Sequence, residues 1–422
     1  MKFIADLHIH SKYSRATSPT MDLPNLAKWA KIKGIDLLGT GDFTHHLWLD
    51  HLKSVLKPSG KGLFVYDDVH FMLTAEISSI YSKNNRCYRI HNLIFAPSFE
   101  TVDKINKALS AIGNLRADGR PILGLDAAKL ARIVFEIDPN CMLVPAHIWT
   151  PWFSLFGSKS GFDLIEDCFE EQAKNIFALE TGLSSDPAMN WRLSALDKYS
   201  LISNSDCHSP QKIGREANVF DCEMSYFEIR DVLKTKDKKR FLYTIEFFPE
   251  EGKYHYDGHR NCQVRLSPRE TKKNKGLCPQ CGKAVTVGVT SRVEELADRS
   301  EGFVPDNAIP FKNLIPLEEI IAEALEVGRT SKRVAAAYDQ AVTGLGKEFD
   351  ILMHKTESEL TAVLPPRIIQ GILKVRRAEC VIKPGYDGEY GIISIFGKGA
   401  AKNKNVKKTE KTKKTEKQWN LF

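Results

Sequence analysis

The stretch KFIADLHIHS, residues 2–11, decides the reading of this chain. Lys2–His10 reads as a buried strand, with Asp6, His8 and His10 at every second place. Successive side chains of a strand point to opposite faces, so residues two apart share one. A carboxylate and two imidazoles are therefore expected to face a common point. Nitrogen and oxygen donors together suit zinc, manganese or iron. Alone, the His-x-His pair reads equally well as two histidines on a solvated strand, so the rest of the chain has to decide.

It decides by repetition. Strand-like runs recur at Ile35–Thr40, Phe71–Ile80, Arg89–Phe95, Met142–Ile148, Phe177–Glu180 and Leu201–Ser205. Asp42 and His45 follow the first of these in TGDFTH, Glu76 lies in AEIS, and His91 opens HNLIF. His147 sits in VPAHIW, and Asp206 and His208 close the set in SNSDCH. Six of the twelve histidines thus fall at strand ends, more than a solvated surface would place there. In α/β folds the chemistry gathers at the C-terminal ends of the strands. So many ligands can hold several metals, with a carboxylate bridging two of them.

Amphipathic helical patterns separate most of the strands, at Leu23–Lys33, Val102–Ile112, Ala127–Glu136 and Leu164–Asn175. This alternation over residues 1–240 implies an α/β fold on a largely parallel sheet, either doubly wound or closed as a barrel. Residues 241–300 change to Gly, Pro, Lys and Arg around a His/Cys cluster. Residues 301–397 read as helical, most clearly at Leu317–Val327 and Ser331–Val342. Residues 398–417 are low-complexity Lys/Thr/Glu, a composition expected to stay unfolded, and 418–422 form a short apolar peptide.

The 422 residues leave room for one large and one or two smaller domains. The net charge is +7, and residues 398–422 hold nine Lys and two Glu, so the remainder is about neutral. The basic balance therefore describes the tail rather than the folded part. No apolar run is long enough for a membrane span, and the first ten residues lack the pattern of a secretory signal. An intracellular, cytoplasmic protein is expected. Three of the nine cysteines sit in one metal-type cluster and the others are scattered, as suits a reducing compartment. No P-loop, nucleophile elbow or kinase signature competes with metal chemistry.

His259-Arg-Asn-Cys262 and Cys278-Pro-Gln-Cys281, with 15 residues between them, have the spacing of a closed tetrahedral zinc site. His255 is an alternative first ligand. Trp149, Trp152, Phe153 and Phe156 follow His147 directly, so their loop should lie beside the metal site. Trp149, Trp152 and Phe153 are candidates to stack on a base, although packing on their own barrel is the plainer role. The GLG of residues 344–346 suits an ordinary turn between helices better than a phosphate-binding hairpin. Gln418, Leu421 and Phe422 end the chain as an apolar hook suited to a partner pocket.

The ordered set DLHIHS, GTGDFTHH, AEIS, HNLIF, PAHIW and NSDCH resembles the successive motifs of the PHP (polymerase and histidinol phosphatase) superfamily. That resemblance, over about residues 1–240, implies a distorted seven-stranded (β/α) barrel with a trinuclear metal site. It implies that His8, His10, Glu76 and Asp206 hold one metal, and Glu76, His91 and His147 a second. His45 or Asp42, with His208, would hold a third. Zn2+ is the implied ion, with Mg2+ or Mn2+ as alternatives in the barrel. This chain departs from the superfamily phosphatases at Lys12–Arg15, where they carry a further histidine. Lys12 or Arg15 could neutralise charge on a phosphoryl group, beside the catalytic candidates Asp206, His208 and Glu76. The barrel, then KYHYDGHRNC, then GLCPQCGKAV, then helices ending in VIKPGYDGEYG, resembles the endonuclease Q family of DNA repair enzymes. This implies nicking on the 5′ side of uracil, hypoxanthine, xanthine and abasic sites. The terminal pentapeptide is similar to the peptide by which proteins bind the replication sliding clamp. A histidinol-phosphatase-like phosphatase and a non-catalytic DNA-binding protein are the alternatives.

Overall fold

The structure is a computed structural model that describes residues 1–397. The expected linker 398–417 and the peptide with Gln418, Leu421 and Phe422 lie outside the described residues. The fold is mixed α/β around a central sheet.

Seven strands carry the argument: β1 (Lys2–Asp6), β2 (Leu37–Gly39), β3 (Val69–Lys83), β4 (Arg86–Ala96), β5 (Met142–Pro145), β6 (Ala178–Glu180) and β7 (Ser200–Ile202). β1 pairs parallel with β2, and β2 with β3. β3 and β4 form a long antiparallel hairpin, and β4 pairs antiparallel with β5. The hairpin turn is Asn84-Asn85, whose φ angles of 51° and 61° suit its tight reversal. Alternating strands and helices imply parallel neighbours; this hairpin and its partner β5 make the sheet mixed.

β6 and β7 pair parallel with each other. They join the others only past the strand ends. Ile148 N donates to Glu180 O at 3.0 Å, Asp206 N to His8 O at 2.9 Å and His10 N to Cys207 O at 3.2 Å. The cause lies on the flank of β1. That edge is taken by Ala217–Asp221, antiparallel to β1, and Phe241–Glu246 and Phe311–Asn313 extend the sheet beyond it. The chain can therefore close from β7 to β1 only beyond Asp6, where the ligand-bearing segments meet.

One strand face supplies the interior. Phe3, Leu7, Leu37, Met72, Phe95 and Val144 belong to a single buried cluster. The helices cover the outside. Leu23–Lys33 is capped by Asp22, which accepts from Asn25 N, and ends at Gly34 in the left-handed region. Its apolar face, Leu23, Leu26, Ala27 and Ala30, joins a second cluster that continues into the C-terminal helices through Leu317, Ile320 and Ile351. Lys33 and Glu348, both buried, pair at 3.1 Å across that junction. The domain boundary expected at residue 240 falls within the central sheet, because Phe241–Glu246 is one of its strands. Among the described residues, no helix is long and apolar enough to cross a membrane.

Candidate metal centre

The alternation that fills the interior with apolar groups also places ligands at its rim. Glu76 lies four residues beyond Met72 on the same face of β3. His91 lies two residues before Leu93 on β4, and Glu180 two beyond Ala178 on β6. The loops past the strand ends supply the others. Asp42, His147 and Asp206 are non-glycine residues with φ of 49°, 31° and 45°. Such conformations cost roughly 1–3 kcal/mol each and persist where the surroundings enforce them. At Gly182 a Cβ would stand 2.4 Å from that of His147, so a larger residue would displace this ligand.

Two groups of donors converge. His8, His10, Glu76 and Asp206 form one, and Glu76, His91 and His147 the other, each with its ligand atoms within 4.8 Å of one another. Glu76 serves both. Its Oε2 lies 3.6 Å from His8 Nε2 and 3.2 Å from His10 Nε2, and its Oε1 lies 2.6 Å from His91 Nδ1 and 3.2 Å from His147 Nε2. Asp206 Oδ1 lies 3.1 Å from His10 Nε2 and 3.6 Å from His8 Nε2. Yet His8 Nε2, His10 Nε2 and Asp206 Oδ1 are buried without a hydrogen-bond partner. Buried donors and acceptors that converge unpaired on one point are what a cation would satisfy.

The electrostatics agree. Burial pushes the Glu76 carboxyl up, but His91, Arg120 and His8 more than reverse this and hold it well below the usual range. Burial favours neutral His8, yet Glu180, Asp206 and Glu76 drive it well above the ordinary imidazole value. The carboxylates therefore call for positive charge at this point. His91 goes the other way, lowered by burial to about 4, and stays neutral.

The groups behind the ligands were less visible in sequence. Glu180, absent from the expected site, lies 3.1 Å from His8 Nδ1 and accepts from His147 N at 2.9 Å and from Asn204 Nδ2 at 2.9 Å. Its only signal was a strand ending in Glu. Arg120, also unexpected, meets Glu76 Oε2 at 3.2 Å. Asp42 takes the same kind of role for His10. It lies 3.0 Å from His10 Nδ1 and accepts from Ser11 N, Ser11 Oγ and Ser14 Oγ at 2.6, 2.7 and 2.8 Å. It is spent there and joins neither donor group. His45 stacks on Tyr13 with ring centroids 4.5 Å apart, and it too stands outside both groups. Asp6 turns away from the point faced by His8 and His10 and accepts from Ser205 N and Gly214 N.

His208 lies at the mouth, its ring 4.7 Å from that of His10, with Nδ1 donating to Asp206 O at 2.9 Å. Arg15 is exposed and faces Asp118 at 4.0 Å. The aromatic loop divides. Trp149 is buried and donates to Asn190 Oδ1 at 2.7 Å, so it is core rather than a contact surface. Phe153 packs on His91 at 4.9 Å, and Trp152 meets Tyr254 edge-on at 5.9 Å, both partly exposed beside the centre.

A third donor group stands apart: His259, Cys262, Cys278 and Cys281, within 4.8 Å of one another. The hairpin of Asp257–His259 with Val264–Leu266 carries one half. The other half is a turn in which Gly282 N donates to Cys278 O at 2.8 Å. Burial raises the Cys278 thiol, but the backbone N–H groups of Gln280 and Cys281 outweigh it and bring it to about 6. That favours the thiolate, the form that binds metal. His255 is buried elsewhere and is not in this group.

Comparison with known proteins covers most of the chain. The family described as the MJ0043 C-terminal domain matches residues 316–379. Uncharacterized protein YqxK of Bacillus subtilis is 31% identical over 413 residues, 93% of this chain and 99% of that one. Uncharacterized protein MJ0043 of Methanocaldococcus jannaschii is 32% identical over 256 residues, 59% of this chain. The match spans only 31% of that longer protein. Among solved structures, the novel lesion-specific endonuclease PfuEndoQ from Pyrococcus furiosus is 32% identical with a TM-score of 0.84, over 94% of this chain and 98% of that one. An Endonuclease Q complex with a 27-mer duplex substrate, carrying an abasic lesion at the active site, is 32% identical with a TM-score of 0.82. That match covers 96% of this chain and all of the other.

Proposed function

This chain belongs to the endonuclease Q family, and from that membership we propose that it is a metal-dependent DNA repair endonuclease. The observation that carries the reading is Glu76, shared by two donor groups in a chain that matches a lesion-bound endonuclease over 96% of its length. The reaction is hydrolysis of the phosphodiester 5′ to a damaged nucleotide. The oxygen of water bonds to phosphorus, the bond to the 3′ oxygen breaks, and that oxygen takes a proton. The products are a 3′-hydroxyl and a 5′-phosphate. Abasic sites, uracil, hypoxanthine and xanthine are the proposed lesions.

His8, His10, Glu76 and Asp206 would hold one cation and Glu76, His91 and His147 another, in a PHP-type barrel. Such cations, zinc first, supply Lewis acidity to the phosphoryl oxygens and bring a water pKa down to about 7. Glu180 and Asp42 fix the imidazoles of His8 and His10 so that Nε2 faces the centre. With Nδ1 donating to the backbone and burial keeping the ring neutral, His208 presents an unprotonated nitrogen that takes the proton released by the attacking water and passes it to the leaving 3′ oxygen. Arg15 stands farther out and steers the duplex by charge. The His/Cys group is a structural zinc ribbon, and residues 301–397 a helical appendage that grips DNA. As a DNA enzyme the protein works in the cytoplasm at the nucleoid.

The test is a panel of duplexes bearing an abasic site, uracil or hypoxanthine, run beside an undamaged duplex and histidinol phosphate. Nicking confined to the damaged duplexes is expected. Turnover of histidinol phosphate alone would replace the nuclease reading with a phosphatase. An enzyme that works on an unpaired base must first expose it, and a stacking surface holds the opened state. In the same panel, Trp152→Ala should therefore cost about 1–3 kcal/mol on the lesions, one base–aromatic contact. Equal rates for this variant and the parent would leave Trp152 a packing residue.

Gln418, Leu421 and Phe422 are proposed to bind the sliding clamp. A short peptide that orders on binding holds weakly, roughly micromolar, and tethering to a clamp on DNA compensates by local concentration. Deleting residues 418–422 should abolish clamp binding and leave nicking of short free duplexes unchanged. Clamp binding that survives the deletion would refute this role.

A further inference from the structure

The loop that follows His147 is tied to the metal centre at two of its imidazoles. Phe153 O accepts from His91 N at 3.2 Å, and the Phe153 ring packs on that of His91 at 4.9 Å. Thr150 Oγ1 lies 3.4 Å from His147 Nδ1 and donates to Trp152 O at 2.7 Å. Phe153 itself has a φ of 61°, and its N donates to Ser160 Oγ at 3.2 Å. A left-handed conformation in a residue with a Cβ persists only where the surroundings enforce it.

The neck of the loop supplies that enforcement. Phe156 N donates to Ile148 O at 2.9 Å and Phe162 N to Leu155 O at 2.7 Å, so the two ends of the loop run side by side. Arg292 lies across them. Its Nε donates to Phe156 O at 3.1 Å and its Nη2 to Phe162 O at 3.2 Å. Nη2 also meets Asp163, and Nη1 meets Glu295 at 2.8 Å. The side chain is only 7% exposed, and Phe156 and Phe162 are buried with it. Buried carbonyls of a loop need donors, and a planar guanidinium can serve two of them at a fixed separation. The helix that carries Arg292, Val289–Leu296, is seated independently of the loop. Val289 and Val293 lie in the large core cluster, and just past the helix Asp298 Oδ1 accepts from Ser194 N at 2.8 Å. The clamp is therefore anchored in the body of the protein and not in the segment it closes.

We propose that Arg292 is a positioning residue, which closes the neck of the loop and so holds Trp152 in place beside the metal centre before a lesion arrives. The inference deepens the lesion-endonuclease reading and rests on it, because Trp152 is the residue through which Arg292 acts. Without the clamp the loop samples other shapes, and the fraction of molecules ready to bind a lesion falls. Apparent affinity drops by that fraction, while the chemistry of the assembled complex is unaltered.

The test uses the full-length, metal-loaded protein with Arg292→Lys and Arg292→Met, each alone and combined with Trp152→Ala. Amide hydrogen exchange should accelerate over residues 150–162 in both single variants, with β3 and β4 protected and bound metal equal to the parent's. On an abasic duplex KM should rise about tenfold in Arg292→Met, with kcat within about twofold of the parent's. Arg292→Lys should lie between, because it keeps the charge beside Asp163 and Glu295 but lacks the fork. Adding Trp152→Ala should raise KM by no more than about twofold over the worse single variant, since both changes act through one contact. Fully additive effects would overturn the proposal, as would a fall in kcat at unchanged KM or loss of metal from Arg292→Lys. Each of these would make Arg292 a support of the fold alone. Should Arg292→Met fail to fold, Arg292→Lys decides on the same measurements. A parent that nicks no damaged duplex would sink the nuclease reading, and exchange over residues 150–162 would still decide the clamp: unchanged exchange in Arg292→Lys overturns it.

Discussion

Glu76→Gln is expected to weaken both cation sites at once and to lower nicking by at least ~10², the scale of losing a positioned charge. Its two oxygens face different partners, Oε2 toward His8 and His10 and Oε1 toward His91 and His147. A glutamine keeps the shape but has one acceptor oxygen, so at best one group keeps its ligand. The neutral amide also removes the carboxylate that Arg120 meets at 3.2 Å. Weakening a buried ion pair is destabilising, so the metal-free variant should melt lower as well. Asp206→Asn is the matched control. Of the two donor groups Asp206 belongs to that of His8 and His10 alone, and it is a quarter exposed, so its loss touches one donor group. Elemental analysis of the purified proteins should find metal depleted at two sites in Glu76→Gln and at one in Asp206→Asn, with nicking reduced in both. Full metal content and full nicking in Glu76→Gln would mean that Glu76 joins nothing and that the centre has been wrongly built.

The reach of the sequence is visible in these same residues. Period-two alternation is a local property, so the seven strands and the rim positions of Glu76 and His91 could be read directly. A ligand and the group that orients a ligand use the same residue types, however. Asp42 therefore looked like a metal ligand, although Ser11, Ser14 and His10 surround its carboxylate. Asp6 misled for another reason. The alternation holds to the end of β1, but there the chain turns to meet Cys207, and Asp6 faces Ser205 and Gly214 instead. Glu180 ends a three-residue strand with no motif around it. Arg120 owes its position to Gly119 fitting against Asp42, a contact between segments about 77 residues apart in sequence, which no local pattern encodes. Trp149 was read by its distance in sequence from His147, whereas burial and its bond to Asn190 set its role.

The Cys278→Ser, Cys281→Ser double variant should lose one zinc and melt the hairpin region alone. A small apolar cluster supports that region: Leu266, Cys278 and Val285, with Cys262 and Val264 partly buried beside them. One of its three buried members, Cys278, is itself a proposed ligand, so packing and metal binding would be the same contact. A structural zinc of this type contributes about 10–16 kcal/mol of apparent binding free energy at neutral pH, far more than so few side chains could replace. Serine is nearly isosteric with cysteine but does not ionise near neutral pH, so the loss falls on metal binding rather than on shape. The thiol of Cys278, brought to about 6 by backbone N–H groups, shows how strongly the turn favours the thiolate. The effect should stay local. The donors of the other two groups come from other strands and share no residue with this group. Hydrogen exchange should therefore accelerate across about residues 257–286 while β3 and β4 stay protected, and the zinc count should fall by one. An unchanged zinc count would remove the ribbon from the fold, and loss of the barrel metals as well would show that the two regions fold as one unit.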